Sequence, residues 1–254
     1  RLIDELEIAE AVAVVDINPD TLPQAQRCYH LPPGKCYDSL ESACNENSAD
    51  FLIVVVPSAQ HAKMVDIGLT HDLHILSEKP IADTMAACCR VYKKVKAADK
   101  KMAVTMSHRF DQDKQTLERE IKSGAYGELN YLVGRNTWNC RKRGQWGQSR
   151  YDVPDTLLVE GTVHHFDICR SLTDANAKTV YALTWNPPWG EFAGDSTGLI
   201  TIEMENGVKV SYEGAKANAT ELNGWTQDYF RAECRDATLE LDKREIRIFT
   251  DLDG

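Results

Sequence analysis

The sequence predicts an α/β protein of two domains, a doubly wound parallel sheet over residues 1–106 and an α+β domain over 107–254. In the first part, short β-branched apolar runs alternate with longer segments of helical spacing, which is typical of a parallel sheet covered on both faces. In the second part, segments of alternating polarity follow one another with few helices between them. That order indicates a mainly antiparallel sheet.

Strands of the first domain are expected where the apolar runs stand, at 11–15, 51–56, 73–76 and 102–105. Helices are expected at 59–69 and 82–98, with Asp83 and Thr84 as candidate caps. Residues 1–9 have the pattern of a helix end. No Gly-x-Gly-x-x-Gly motif occurs, so the first strand and Gly-rich loop of a nucleotide-binding domain are absent from this chain, and we expect them to precede residue 1.

The second domain is expected to begin with a strand at 129–137, a long loop at 138–155 and a helix at 156–172. Further strands are expected at 178–185, 197–204, 207–214, 229–235 and 237–249. The Glu205-Asn206-Gly207 sequence is a turn signal between two of them.

Composition limits the possible partners. The net charge of −10 argues against nucleic acid and anionic membranes, and no apolar run is long enough for a membrane span. The eight cysteines include no Cys-x-x-Cys pair, which favours reduced thiols and a cytoplasmic location.

Asp16 is the first candidate for cofactor binding, because it ends the strand predicted at 11–15. In a doubly wound nucleotide domain, an acidic side chain at the end of the second strand binds the ribose hydroxyls and favours NAD over NADP. The neighbouring Asn18 belongs to the same edge. Alternatively, Asp16, Asn18, Pro19 and Asp20 only form a capped turn.

Two further loops follow predicted strands at the edge where such folds bind ligands. Val56 ends the strand at 51–56 and Pro57 and Ser58 follow it, all three as candidates for cofactor binding, and His61 is either part of this cofactor edge or a surface helix residue. Glu78-Lys79-Pro80 follows the strand at 73–76, where a lysine is suited to proton transfer beside a nucleotide. The alternative is a helix start with proline at its first position.

Glu160 and His164 are four residues apart on the helix predicted at 156–172, and Asp167 lies one turn further. A histidine oriented by nearby carboxylates can take a proton from a hydroxyl while hydride leaves the same carbon. The alternatives are packed histidines or a metal site of Glu160, His164 and His165. We expect no metal, because adjacent helix residues point about 100° apart.

Aromatic and basic side chains are concentrated in the loop before this helix, at Trp138, Arg141, Trp146 and Tyr151. They are candidates for stacking on a sugar or hydrogen-bonding it. Packing against a neighbouring subunit is the equally weighted alternative.

Taken in this order, together with Ser107 to Phe110 and Ile121 to Glu128, these motifs resemble the glucose-fructose oxidoreductase, inositol dehydrogenase and rhizopine catabolism (Gfo/Idh/MocA) family of oxidoreductases. The resemblance implies an N-terminal Rossmann domain, NAD as cofactor with NADP possible, and sugar- or polyol-like substrates bound between the domains. It also implies an open sheet that often supports a homo-oligomer, here a dimer or tetramer.

The resemblance assigns roles to individual residues. Lys79 would contact the nicotinamide ribose and the substrate, and His164 would assist proton transfer, with Glu160 standing where the family usually has an aspartate. We also expect Glu78 and Arg109 to contact the cofactor and His165 to contact the substrate.

The function predicted is therefore an NAD(P)-dependent dehydrogenase or reductase that transfers hydride between a nicotinamide and a secondary alcohol or ketone of a sugar or polyol. Two alternatives remain. One is an NAD-dependent glycosidase, which uses a transient oxidation without net redox change. The other is a non-catalytic sugar-sensing or regulatory protein of the same fold.

Overall fold

The computed structural model describes residues 8–251, so the helix end predicted at 1–9 lies almost wholly outside the described residues. The chain divides into two compact units, with the boundary between Thr105 and Met106. Each unit has its own hydrophobic core.

The first unit alternates strands and helices, and the strands described within residues 8–105 pair in parallel. Its elements are β1 (Val14–Val15), α1 (Leu22–Cys28), β2 (Cys36–Tyr37), α2 (Leu40–Glu46), β3 (Phe51–Val54), α3 (Ser58–Thr70), β4 (His74–Ser77), α4 (Met85–Ala97) and β5 (Met102–Val104). β1 pairs with β2, and β3, β4 and β5 form a second sheet in that order. The Rossmann-like architecture predicted from the apolar runs is thus confirmed.

Local sequence accounts for the main helices of this unit. Val65 of α3 and Val91 of α4 are fully buried and pack in one cluster with Ile75 of β4. Thr84 caps α4 as predicted, because its hydroxyl accepts a hydrogen bond from the Ala87 N–H. Helices α1 and α2 and strand β2 were not predicted, because each is short and only partly apolar.

The second unit is built on one seven-stranded sheet. Its helical elements are a 3₁₀ helix (Ser107–Phe110), α5 (Gln112–Lys122), a 3₁₀ helix (Gln148–Tyr151), a π-helix (Thr156–Gly161) and α6 (Val163–Thr173). Its strands are β6 (Leu129–Thr137), β7 (Ala177–Trp185), β8 (Thr197–Met204), β9 (Lys209–Ala215), β10 (Tyr229–Cys234), β11 (Thr238–Asp242) and β12 (Glu245–Phe249). The strand order is β12-β11-β10-β6-β9-β8-β7.

This sheet is mainly antiparallel, as predicted, and β6 with β9 forms its one parallel pair. Gly134 of β6 lies between two aromatic neighbours, because it is in register with Tyr212 of β9 and Phe230 of β10. A Cβ atom at Gly134 would come within 3.0 Å of Tyr212 and 3.1 Å of Phe230. The absent side chain therefore allows both rings to fill the core under the helices.

Two predicted elements of this unit were wrong in form. The helix at 156–172 is a π-turn followed by α6, because the Thr162 N–H donates to the Leu157 carbonyl five residues earlier, at 2.8 Å. The strand at 237–249 is a hairpin, in which Lys243 and Arg244 both adopt positive φ angles, of 50° and 74°. A turn with two positive φ angles usually contains glycine or asparagine. Because this one contains neither, no residue pattern indicated a turn at these positions.

The inner face of the sheet is covered by α5 and α6. Leu117, Leu132, Ile168 and Phe230 are almost completely buried in this layer. Helix α5 was not predicted, because charged and polar residues surround its few apolar positions. Within residues 8–251, no helix combines the length and the apolar character that a membrane span requires.

Candidate active site

In the first unit, the loops after β3 and β4 come together at the carboxyl edge of the sheet. Pro57 immediately precedes α3, and the Glu78 N–H donates to the Val54 carbonyl at 2.8 Å. Val55 is 71% exposed and Val56 is also exposed, although both are apolar. This edge therefore offers an apolar surface where parallel sheets bind ligands.

His61 lies in the first turn of α3 and is 1% exposed, so it is not a surface helix residue. Its Nδ1 lies 2.7 Å from the Pro80 carbonyl oxygen, and its Nε2 lies 2.8 Å from the Val56 carbonyl oxygen. The ring thus joins the loop after β3 to the loop after β4. We expected His61 to contact the cofactor directly. In the structure both of its ring nitrogens face protein carbonyls, so the ring connects two loops.

Lys79 lies in the loop between β4 and α4. Its backbone N–H donates to the Glu78 carboxylate at 3.2 Å, and the Lys79-Pro80 peptide bond is cis. Helix α4 begins only at Met85, so the alternative in which Pro80 starts a helix was wrong. Glu78 and Lys79 therefore occupy a loop at the carboxyl edge, which is where a ligand-contacting lysine is expected.

Asp16 directly follows β1, and its N–H donates to the Tyr37 carbonyl of β2 at 3.0 Å. One carboxylate oxygen accepts from the Asn18 N–H at 2.8 Å, and the Asn18 side chain accepts from the Asp20 N–H at 3.0 Å. The capped turn weighed as an alternative is therefore present. A carboxylate has two oxygens, so the turn and a ribose contact by Asp16 are compatible.

The second unit brings three histidines together. His164 and His165 lie in the first turn of α6, and His108 lies on the 3₁₀ helix that follows β5. All three are buried, and the rings of His108 and His164 stack with centroids 4.8 Å apart. Trp225 covers His108 at a ring distance of 3.9 Å and remains 45% exposed.

Arg109 and Asp167 fix the position of this stack. The Arg109 Nε and Nη2 atoms donate to the two carboxylate oxygens of Asp167 at 2.6 and 2.9 Å. This two-point ion pair ties the 3₁₀ helix to α6. Arg109 was expected to contact the cofactor and Asp167 to orient the catalytic histidine, whereas in the structure the two residues bind each other.

Asp228, at the start of β10, is the centre of a buried polar network. It is 0% exposed, and one of its oxygens lies 2.9 Å from Nε2 of His165 and accepts from the Asn136 amide at 3.0 Å. The ammonium of Lys114 lies 2.8 Å from the other oxygen. The Tyr212 hydroxyl lies 2.8 Å from Nδ1 of His165. His165, expected to contact substrate, is thus bonded on both sides by protein groups.

The surroundings of this network shift the pKa values of its members. Burial lowers the pKa of His108 to about 4, and the nearby Asp228 offsets this only in part. Burial alone would raise the pKa of Asp228, but His165 and Lys114 hold it well below its usual value. Burial would lower the pKa of Lys114, yet Asp228 raises it. His108 is therefore neutral near pH 7, beside a charged carboxylate and a charged ammonium.

His108, His165 and Asp228 carry atoms within 4.8 Å of one another that are able to bind a metal. However, Asp228 is already neutralised by the Lys114 ammonium at 2.8 Å. A divalent cation would have to displace that buried charge. We therefore assign His165 and Asp228 to a hydrogen-bonded network, with the His108 ring packed beside it, instead of a metal centre.

The loop at 138–155 folds onto the second unit as an aromatic cluster. Tyr151 is fully buried, stacks on Phe192 at 4.4 Å and donates to the Cys140 carbonyl at 2.8 Å. It is therefore a core residue, and the substrate contact expected of Tyr151 is not available to its ring. Trp138 and Trp146 are partly exposed at the edge of this cluster.

The loop also contacts a buried lysine, Lys216. Lys216 donates to the Asn136 side chain at 2.7 Å and lies over the Trp138 and Trp146 rings. Glu160 lies 3.6 Å from Arg150. Because the π-turn ends at Gly161, Glu160 and His164 are not on one uninterrupted α-helix as expected.

His108, Lys114 and Asp228 were missed in the sequence. His108 stood unassigned in the Ser107 to Phe110 motif. Lys114 had one usable signal, since it shares the helical face of Leu117 and Ile121, where a charge requires a buried partner. Asp228 is distant in sequence from the residues it binds, and no local pattern marked it.

Two family models match the chain and define its class. Residues 2–106 match the oxidoreductase family with an NAD-binding Rossmann fold, and residues 115–240 match the GFO/IDH/MocA C-terminal domain. The protein is thus an NAD-binding oxidoreductase in class. The chain belongs to the GFO/IDH/MocA family, as its motifs predicted.

Individual relatives agree with this assignment. The chain is 40% identical over 240 residues to the uncharacterized protein y4oX of Sinorhizobium fredii, covering 94% of this chain and 67% of that protein. It is 26% identical over 201 residues to an inositol 2-dehydrogenase of Corynebacterium glutamicum, covering 78% of this chain and 57% of the relative. The chain therefore spans little more than half of that dehydrogenase.

Among solved structures, the WlbA dehydrogenase of Bordetella pertussis, in complex with NADH and UDP-GlcNAcA, has the same fold. The TM-score is 0.84 at 19% identity, covering 97% of this chain and 76% of that one. At this identity the likeness concerns the fold alone.

The depressed pKa of His108 predicts a specific loss of stability in acid. Between its ordinary value of 6.5 and about 4, the unfolded chain binds a proton that the folded protein rejects, so stability falls as the pH falls. His108→Phe keeps a ring and removes this titration. From about pH 7 to about pH 4.5, the parent should lose about 2 kcal/mol more stability than the variant in urea unfolding.

The titratable groups facing His108 are Asp228, Asp111, Lys114 and His165, and all of them remain in the variant. Parallel stability curves for the parent and His108→Phe over this range would contradict the assignment.

Proposed function

We propose that the protein is an NAD-dependent oxidoreductase that transfers hydride between the nicotinamide and a secondary alcohol or ketone of a sugar- or polyol-like substrate. The observation that carries this proposal is the stack of His164 on a neutral His108, beside the exposed face of Trp225. The relative named inositol 2-dehydrogenase supports a polyol as the substrate class.

The residues at the carboxyl edge of the first unit fit a dinucleotide. Asp16 stands at the end of β1, and Val55 and Val56 leave apolar surface exposed after β3. The Asp16 carboxylate suits a ribose diol, whereas the apolar residues suit a flat ring. NAD, when bound, supplies the hydride acceptor, and the protein's share is binding, orientation and proton transfer.

In the proposed mechanism, His164 and Lys79 have different roles. His164 takes the proton of the substrate hydroxyl, and the Lys79 ammonium serves as a hydrogen-bond donor from the cofactor edge. Arg109 and Asp167 hold His164 in place, since their ion pair fixes α6 against the 3₁₀ helix. Glu160 stays in the proposal as a carboxylate close in sequence to His164.

Tryptophans are proposed to supply the substrate surface. One face of Trp225 packs on His108 while the residue remains half exposed, so the other face is available to the apolar side of a sugar ring. Trp138 lies 5.9 Å from Trp225 and extends the same surface. Tyr151 is left out, because its ring is buried.

Rate measurements on the two catalytic residues test the proposal. Lys79→Met and His164→Asn should each slow the hydride step by roughly 10²-fold or more, with less effect on nucleotide affinity, because both groups act in the transition state. The measurement is single-turnover NADH formation with myo-inositol and a panel of sugars. Two matched controls change the same residue types elsewhere: Lys94→Met on α4 and His71→Asn at the end of α3. Both should leave the rate of the hydride step unchanged.

Product analysis in the same reactions separates the alternatives. Free sugar released from a glycoside without NADH would identify a glycosidase. Tight sugar binding without any turnover would identify a sensor. Near-parental rates in the His164→Asn variant would remove His164 from the chemistry.

Cofactor preference tests the role of Asp16. A carboxylate at the ribose repels a 2′-phosphate, so the protein should bind NADH roughly tenfold or more tightly than NADPH. Asp16→Ser should narrow this difference, while the serine hydroxyl still caps the turn. Fluorescence titration measures both affinities, and equal affinities in the parent would exclude Asp16 from the site.

The proposal includes assembly into a homo-oligomer through the outer face of the seven-stranded sheet. Leu183 of β7 and Leu199 of β8 are in register, 54% and 51% exposed, and flanked by exposed Tyr181 and Trp185. Exposed apolar surface of this extent is typical of protein interfaces.

The free cysteines at all eight positions favour the cytoplasm as the location of the protein.

A charge on this face should break the assembly. Leu183→Glu places a carboxylate within the proposed interface, so the mass measured by light scattering should fall to that of a monomer. Leu222→Glu changes an exposed leucine outside the sheet and should leave the mass unchanged. A monomeric parent, or an oligomer that tolerates Leu183→Glu, contradicts this interface.

A further inference from the structure

We propose that His61 is a positioning residue for Lys79: its ring, which lies between the Val56 and Pro80 carbonyls, fixes the loop from which the lysine acts. The inference rests on the proposed function for the role of Lys79, but its structural half stands on the first unit alone. His61 itself would touch neither substrate nor cofactor.

The two ring nitrogens of His61 contact carbonyl oxygens in two different loops. Nε2 of His61 lies 2.8 Å from the Val56 carbonyl, just before α3, and Nδ1 lies 2.7 Å from the Pro80 carbonyl, one residue after Lys79. The Ser77 hydroxyl lies 3.5 Å from Nδ1 and donates to the Glu78 carbonyl at 3.0 Å. His61 therefore contacts the chain on both sides of Lys79, at Ser77 and at Pro80.

Burial makes these contacts strong determinants of loop position. His61 and Pro80 are buried, so water does not compete for the Pro80 carbonyl. A carbonyl accepts a hydrogen bond from the ring only where the facing nitrogen carries a proton, and a neutral imidazole has one such nitrogen. Loss of the ring would leave the buried Pro80 carbonyl without this partner. An unsatisfied buried carbonyl is costly in free energy, so the loop would move to expose it to water.

Movement of this loop would displace the lysine. The start of the loop is held separately, by the Glu78 N–H donating to the Val54 carbonyl at 2.8 Å. The His61 contact follows two residues later, so Lys79 lies between two fixed points. A displacement of about 1 Å at a catalytic group costs on the order of 10²-fold in rate.

The test compares substitutions at His61 in two backgrounds. His61→Phe keeps the ring volume and removes the polar ring nitrogens, whereas His61→Gln keeps an amide that can donate to one carbonyl. In single turnover with NAD⁺ and myo-inositol, His61→Phe should lower the rate roughly 10²-fold with a much smaller change in KM, and His61→Gln should lower it less. His74→Phe, the same change at the opposite end of β4, should leave the rate unchanged.

The Lys79→Met background shows whether His61 acts through Lys79. If it does, His61→Phe should slow the Lys79→Met protein only slightly, because the displaced group is already gone. An equal fold loss in both backgrounds would overturn the inference. A parental rate for Lys79→Met alone would instead overturn the proposed function.

Hydrogen exchange tests the structural half without any substrate. In His61→Phe, the amides of residues 77–79 and 81–82 should exchange at least about tenfold faster, while those of 72–75 should be unchanged, and His61→Gln should lie between. Unchanged exchange at 77–82 would overturn the inference. A uniform increase throughout the first unit would also overturn it, because it would show general destabilisation.

Discussion

The second unit depends on one buried carboxylate, that of Asp228. It contacts Lys114 from α5, His165 from α6 and Asn136 from β6, so it joins the start of β10 to both helices and to the central strand. A buried carboxylate is costly unless cations and donors surround it, and here the low pKa of Asp228 reflects the stabilisation that His165 and Lys114 provide. The position of α6, and with it that of His164, follows from this arrangement.

The two adjacent histidines of α6 illustrate how one helix separates two tasks. His165 points into the core, where Tyr212 and Asp228 occupy its ring nitrogens. His164, one position earlier, instead stacks on His108, whose ring is neutral. Among the described residues, neither ring nitrogen of His108 has a hydrogen-bond partner. His108 therefore contributes an aromatic face without adding a charge next to His164.

Much of the fold was predictable because its signals are local. The strands at 129–137 and 197–204 were predicted to the residue, since their apolar positions alternate and one face is buried. The π-turn at Thr156–Gly161 and the Lys243-Arg244 hairpin turn were not, because tertiary packing imposes backbone conformations that their residues do not signal. The same limit applies to the site: Asp228 is more than 60 residues from His165 and more than 90 from Asn136 in the chain.

The motif residues themselves divide into two physical kinds. Lys79 and Asp16 lie in loops at the carboxyl edge of a parallel sheet, where side chains meet ligands. His61, Arg109 and Asp167 belong to the same motifs, yet the structure uses them to bind carbonyls or one another. A catalytic group must be held within a fraction of an ångström of its target, and loops lack the ladder hydrogen bonds that fix a strand. Supporting contacts must then come from side chains, as when His61 contacts the Pro80 carbonyl beside Lys79 and Arg109 binds Asp167 on the helix of His164.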